Sequence, residues 1–155
     1  MQLPRFEGLE ARRVGRLLAV YCVVGLLAGI VAVGFVLAVG YGTDLLDRVR
    51  TEGSPWLVVL LPVAGGLLSG LLCAWLAPET MGAGINHVIE AYHHHDGEIR
   101  ARVPAVKTVA ATITLSSGGS GGVEGPVAQI TAGIGAIVAE RMGLPPRDRR
   151  VMLMA

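Results

Sequence analysis

Apolar positions in this chain fall into long unbroken runs rather than strand-like alternations or narrow helical stripes. Leu17–Tyr41 and Trp56–Ala77 carry no charged residue. Each is long enough to cross the hydrocarbon core, which takes roughly 20 residues. Between them, Thr43–Pro55 is polar, with Asp44, Asp47, Arg48, Arg50 and Glu52. That predicts the outer end of the first span plus a loop. Trp56 and Trp75 near the two ends of the second span suit interfacial aromatics. Gly25/Gly29 and Gly66/Gly70 have the small-residue spacing that admits a neighbouring helix closely. Pro62 removes one backbone hydrogen bond and predicts a bend.

Before the first span, residues 1–16 mix Arg5, Arg12, Arg13 and Arg16 with Leu3, Phe6, Leu9 and Val14. This predicts an amphipathic N-terminal helix on a membrane surface, the alternative being a disordered basic tail. The arginines place the N-terminus on the cytoplasmic side. A secretory signal is rejected, because its apolar region is shorter and ends in a small-residue cleavage site.

After the second span the pattern breaks. Pro78-Glu79-Thr80-Met81-Gly82-Ala83-Gly84-Ile85-Asn86 interrupts the helix, and a short helix from near Gly84 through Tyr92 cannot span. Such a re-entrant segment is tolerated where protein or water satisfies its backbone. His93–Arg102 is polar and reads as a solvated loop. His87, Glu90 and His94 would share one face of a continuing helix at metal-ligand spacing, but the loop reading is preferred and no metal site is expected. Val103–Val123 then reads as a helix unwinding at its Gly/Ser run, and Gly125–Arg141 as the next helix. Arg141, Arg147, Arg149 and Arg150 mark a second cytoplasmic end. Val151–Ala155 opens another apolar segment after a basic loop. The expectation is therefore the N-terminal part of a longer protein, with 17–155 forming membrane helices.

Composition agrees with an all-α, multi-pass membrane protein of tilted, broken and re-entrant helices. The 155 residues are 52% hydrophobic and 16% charged, with 22 glycines, and mean hydropathy is +0.59. A soluble domain carries about a quarter charged residues. A net charge of +1 argues against a nucleic-acid partner. Cys22 and Cys73 lie in separate apolar runs and read as small buried side chains rather than a disulfide.

The chemistry concentrates at Glu124. It is the one charged residue between Lys107 and Glu140 and sits in Ser116-Ser117-Gly118-Gly119-Ser120-Gly121-Gly122-Val123-Glu124-Gly125-Pro126. An ionisable residue inside a membrane is costly and marks function by default. The glycines before it and Pro126 after it, where a helix accepts proline, place the acid at a helix N-terminus beside unpaired N–H groups. That is an anion site. The break at Met81–Asn86 can aim a second helix start at the same point, as transporters do at the membrane midplane. Partial charges then hold an anion without a fixed Lys or Arg beside it, strongly enough to enter and weakly enough to leave. Ionised, Glu124 competes with the anion for the N–H site; protonated, it leaves. Desolvation favours the neutral acid and the helix N-terminus the carboxylate.

Other readings are weaker. The Gly/Ser run lacks the Lys-Ser or Lys-Thr of a phosphate-binding loop, and no strand precedes it as a dinucleotide motif requires. A tight helix-packing motif remains an alternative. No serine–histidine or cysteine–histidine arrangement suggests an enzyme, and no cofactor is implied.

These residues resemble the CLC family of chloride channels and proton-coupled anion exchangers. Gly122-Val123-Glu124-Gly125-Pro126 is similar to its G-(K/R)-E-G-P motif, and Val127-Ala128-Gln129-Ile130 to the helix that follows. Gly82-Ala83-Gly84-Ile85-Asn86 falls where the family has G-S-G-I-P, and Lys107 where it often has a basic residue. The resemblance covers essentially the whole chain, but only about the first third of a CLC membrane domain. It implies a homodimer at full length, each subunit with its own pore, in a plasma or inner membrane. Glu124 is implied as gate and proton acceptor. Gly82, Ala83, Gly84 and Ile85 form one wall of the anion site; Gly122, Val123, Gly125 and Pro126 form the other. Chloride or a similar small anion, and protons, are the implied substrates. The titratable gate favours exchange. A passive channel is the alternative, and a non-transporting membrane scaffold or sensor the alternative from another class. Ala83 replaces the serine whose hydroxyl binds the central anion, Asn86 the proline, and Val123 the basic residue beside the gate. These departures leave chloride, nitrate and fluoride open. The family's pore tyrosine, internal proton glutamate and second inverted repeat would lie beyond Ala155.

Overall fold

The first helix, α1, runs unbroken from Arg5 to Glu52. The computed structural model describes residues 5–154, apart from the side chains of residues 5–14, 16 and 17. Two sequence boundaries change. The arginine-rich stretch is not a separate helix ending at Arg16, because its backbone continues into the span. Nothing there stops it, since a single interior glycine such as Gly15 costs about 1 kcal/mol. How its side chains lie, and all of Met1–Pro4, fall outside the described residues. At the other end, the polar stretch from Thr43 stays helical. The hydroxyls of Thr43 and Thr51 donate to the carbonyls of Val39 and Asp47 at 2.9 and 3.0 Å, and the connection shrinks to residues 53–56.

Helix α2 spans Leu57–Leu76 and remains one helix through Pro62. Both α1 and α2 are long and apolar enough to cross a membrane. Their outer faces present Leu26, Ile30, Val33, Val59, Val63 and Leu67. An apolar face of that extent is a liability in water and suited to hydrocarbon. Trp56 and Trp75 are exposed at the two ends of α2.

The chain then breaks into shorter pieces. A 3-10 turn at Pro78–Thr80 leads to α3 (Ile85–His94), α4 (Arg102–Ser116), α5 (Glu124–Arg141) and α6 (Pro146–Met152). The basic segment after Arg141 is thus helical rather than a free loop. Arg149 and Arg150 of α6 pair with Glu98 and Asp96, in the α3–α4 connection, at 2.6 and 2.7 Å.

Helix α5 is central, touching α1, α3, α4 and α6. Among the described side chains of α1, Val24, Ala28 and Phe35 are the buried ones. Val24 meets Ala139 and Met152, and Phe35 meets Ala111 and Ile130. Ala132 and Ala136 of α5 close on Ala91 and Leu153. Close approach uses glycines other than the expected ones. Nothing lies within 4 Å of where a Cβ would stand at Gly25, Gly29, Gly66 or Gly70. Gly42 and Gly65 instead make room for Ser116 and Ser117 at the end of α4. The Arg50 guanidinium bonds the Ser117 carbonyl there, a favourable place for a cation. Cys73 is buried as expected, but Cys22 is exposed on the apolar face of α1.

Candidate anion site

Two helix starts define the site. The first is that of α3. Gly84 precedes it with φ of +91°, a conformation glycine adopts without strain. No side chain caps this start, and the backbone N–H groups of Gly82 to Asn86 make no backbone hydrogen bond. The second is that of α5. Glu124 is its first residue and Pro126 its third, where a missing N–H costs nothing. It too lacks a side-chain cap, and the N–H groups of Ser120 to Gly125 are without backbone partners. Each start carries partial positive charge.

Both starts open on one cavity of about 600 Å³. Met81, Gly82, Ala83 and Ile85 line it from one side, and Ser120, Gly121, Gly122, Glu124, Gly125 and Pro126 from the other. Ser69, Cys73, Lys107 and Thr114 complete the wall. Thr114 donates to Ser69 at 2.7 Å, while Thr108 and Thr112 turn their hydroxyls back to the carbonyls four residues earlier in α4. An apolar helix carries such hydroxyls cheaply in this way. Glu124 is exposed and forms no ion pair or hydrogen bond among the described residues.

Two buried side chains take up carbonyls of the re-entrant loop. Lys107 is 4% exposed. Its ammonium donates to Thr80 O at 2.9 Å and Gly82 O at 2.6 Å. Gln129 Nε2 donates to Glu79 O at 2.8 Å. Gly125 packs on Ala83 O, and a Cβ there would stand 2.7 Å from that oxygen. The carbonyls of Glu79, Thr80 and Gly82 are thus occupied, while the N–H groups of Gly82 to Asn86 are without backbone partners.

The expected wall residues divide accordingly. Gly82, Ala83, Ile85, Gly122, Glu124, Gly125 and Pro126 line the common cavity. Gly84 packs against the Gln129 side chain instead, and Val123 packs into the cluster of Phe35, Ala111 and Ile130. At the far end of α3, His87 Nδ1 lies 3.4 Å and His95 Nε2 3.8 Å from the Glu90 carboxylate. His94 is not part of that group, and among the described residues no three such side chains gather to hold a metal. A second cavity there includes Glu79, Arg100 and Gln129 in its lining. Burial pushes the Glu79 carboxyl up, but a backbone hydrogen bond and the Arg100 guanidinium outweigh it, so its pKa falls below the ordinary carboxylate value.

Two uncapped helix starts lining one cavity, inside a fold of helices that include two long enough to cross a membrane, agree with the sequence comparisons. The family described as voltage gated chloride channel matches residues 65–155. The chain belongs to this family. A chloride/fluoride channel protein of Pseudomonas syringae pv. tomato is 29% identical over 142 residues, 92% of this chain and 30% of that protein. Chloride channel protein CLC-e of Arabidopsis thaliana is 30% identical over 146 residues, 86% of this chain and 20% of the relative. A ClcB-like chloride channel protein of Ralstonia nicotianae is 34% identical over 83 residues, 54% of this chain and 19% of its own length. The chain therefore spans less than a third of the length of these curated relatives.

Within this CLC chain, two residues at the site carry more than the sequence reading gave them. Lys107 is a fixed cation in the cavity wall, although its ammonium is spent on carbonyls. Its signal was a lone charge in an apolar run. Gln129 is 1% exposed and braces the re-entrant loop. Its signal was an amide amid the small and apolar residues of α5.

Proposed function

We propose that this chain supplies one side of a CLC-type pathway for a small anion, with Glu124 as gate and proton acceptor. The observation that carries this reading is the pair of uncapped helix starts, α3 and α5, opening on one cavity with Glu124 on its wall. Unpaired N–H groups of both starts bind the anion, and the occupied carbonyls of Glu79, Thr80 and Gly82 keep negative partial charge out of its way. A protonated Glu124 leaves the anion position free. Having taken up a proton from one side, Glu124 releases it to the other, and the carboxylate so formed competes with the anion for the N–H groups. The leading form is therefore exchange of chloride, or a similar small anion, for protons. The family relationship extends this to a homodimer at full length, with the rest of each pore contributed by chain beyond this stretch. It also supports a cytoplasmic N-terminus.

The test is anion flux with simultaneous pH recording, in liposomes holding the full-length protein, wild type against Glu124→Gln. Proton movement coupled to anion flux in the wild type and lost in the variant is the expected result. Anion flux without proton movement in the wild type would make the protein a passive channel. If neither protein moves a small anion, the transport reading fails and the Gly/Ser run is a packing motif.

A further inference from the structure

Gln129 is a buried amide that costs stability unless it does something an apolar side chain cannot. Its Nε2 donates to Glu79 O at 2.8 Å, but its Oε1 is buried without a hydrogen-bond partner. Leaving a buried acceptor unpaired is expensive, and a leucine of similar size would avoid that cost. The amide is therefore explained by its donor. Gly125 stands four residues earlier on the same face of α5. A Cβ there would stand 2.7 Å from Ala83 O. A Cβ on Gly84 would fall among the Gln129 side-chain atoms, 2.9 Å from its Cβ. Helix α5 thus grips the re-entrant loop at two levels, through Gly125 on Ala83 and through Gln129 on Gly84 and Glu79. The helix that holds the loop is also the helix that begins with Glu124.

We propose that Gln129 is a positioning residue that sets anion size selectivity. Its bond to Glu79 O locks the start of α3 against α5. The two rows of unpaired N–H groups then keep a fixed separation, and an anion that fits that separation is favoured over a larger one. This inference rests on the transport reading above. Rigid spacing between preorganised donors discriminates by fit, whereas a loop free to shift adapts to larger ions.

The experiment uses the full-length protein in liposomes, in a Glu124→Gln background that removes titration of the gate. The readout is the ratio of chloride to iodide flux as a function of pH. The parent ratio is expected to be independent of pH. Gln129→Leu keeps the bulk and loses the donor, and should lower the ratio by up to about tenfold at every pH, the scale of one lost hydrogen bond. Gln129→Glu should show the lowered ratio when ionised and recover the parent value on acidification, because a protonated carboxyl can donate to Glu79 O. A residue that merely supports the fold would lower all fluxes together and leave the ratio unmoved. A parent-like ratio in Gln129→Leu, or a lowered ratio in Gln129→Glu at every pH, overturns the proposal. Amide hydrogen exchange at Thr80, Met81 and Val88, whose N–H groups are bonded to Ala77 O, Pro78 O and Gly84 O at the two ends of the loop, does not depend on transport when measured on the same proteins. Faster exchange there in Gln129→Leu, with α1 unchanged, supports the lock even if no variant moves an anion, which would sink the transport reading instead. Unchanged exchange overturns the lock whatever the fluxes show.

Discussion

The two helix starts at the cavity are built alike but held differently. At α3, the preceding loop is braced from three sides. Lys107 takes two of its carbonyls, Gln129 a third, and Gly125 presses on Ala83. At α5, the last hydrogen-bonded point before the helix is Gly119, whose N–H reaches Thr114 O at 2.9 Å. Ser120, Gly121 and Gly122 then make no hydrogen bond among the described residues, and a Cβ at Gly122 would meet nothing within 4 Å. One wall is a frame and the other has slack, and the acid sits on the slack wall. Segments with few contacts open at low free-energy cost. On the proposed reading, fixed donors suit an anion site and room to move suits a gate.

The frame should break most readily at Gly84. Its φ of +91° and the Gln129 side chain against it leave no place for a methyl group. Gly84→Ala should cost about 3 kcal/mol, from strain plus overpacking. Thermal unfolding in detergent would register this as a large loss, and an unfolding temperature equal to wild type would contradict the braced-frame reading.

Lys107→Met comes next. It removes the donor from Thr80 O and Gly82 O, and an acceptor left unpaired costs about 1–3 kcal/mol. Part of this returns because a cation no longer has to be buried. A net loss of about 1–2 kcal/mol is expected, with faster amide exchange confined to Thr80, Met81 and Val88, the hydrogen-bonded N–H groups at the ends of the loop. Exchange spread evenly over the chain would show that Lys107 supports the fold generally rather than the loop.

Arg100→Gln should have a smaller effect, under about 1 kcal/mol, because its pair with Glu79 is partly exposed. The sign with pH follows from the lowered pKa of Glu79. A carboxylate with a depressed folded pKa contributes stability above its ordinary value of 4.5, and that contribution fades as pH falls through the folded pKa. The wild type should exceed Arg100→Gln in stability at neutral pH and converge with it in acid. Parallel pH curves would show that the ion pair contributes nothing measurable.

Gly122→Ala sharpens the comparison from the other side. Its φ is ordinary and the space beside it is open, so the change should stay within about 0.5 kcal/mol. A loss as large as that of Gly84→Ala would mean that the two starts are equally constrained.

Much of this was legible from local pattern. A run without charge longer than the hydrocarbon core has few folded alternatives, so both long spans were readable. Helix breakers at Pro78–Gly84 and at Ser116–Pro126 located both interruptions, since glycine and proline act on the backbone where they stand. The lone Glu124 was visible because charge stands out in an apolar setting. The ends of α1 were not legible, because a helix crosses from apolar to polar sequence without a signal when no breaker intervenes. The glycine pairs misled for a related reason. Spacing identifies a face that can admit a helix, but not whether one is there.

The sequence by itself determined the class, the interruptions and the acid, because each depends on a residue and its immediate neighbours. The tertiary structure alone decided that residues some 40 apart in sequence, Gly82, Ala83 and Ile85 on the one hand and Gly122, Glu124 and Gly125 on the other, open on one cavity. It also decided that a lysine would spend its charge on carbonyls and that a glutamine would brace the loop beside the start of α5. These depend on which faces of α3, α4 and α5 meet, and a helix surface gives many side chains the same local environment until a neighbour is packed against it.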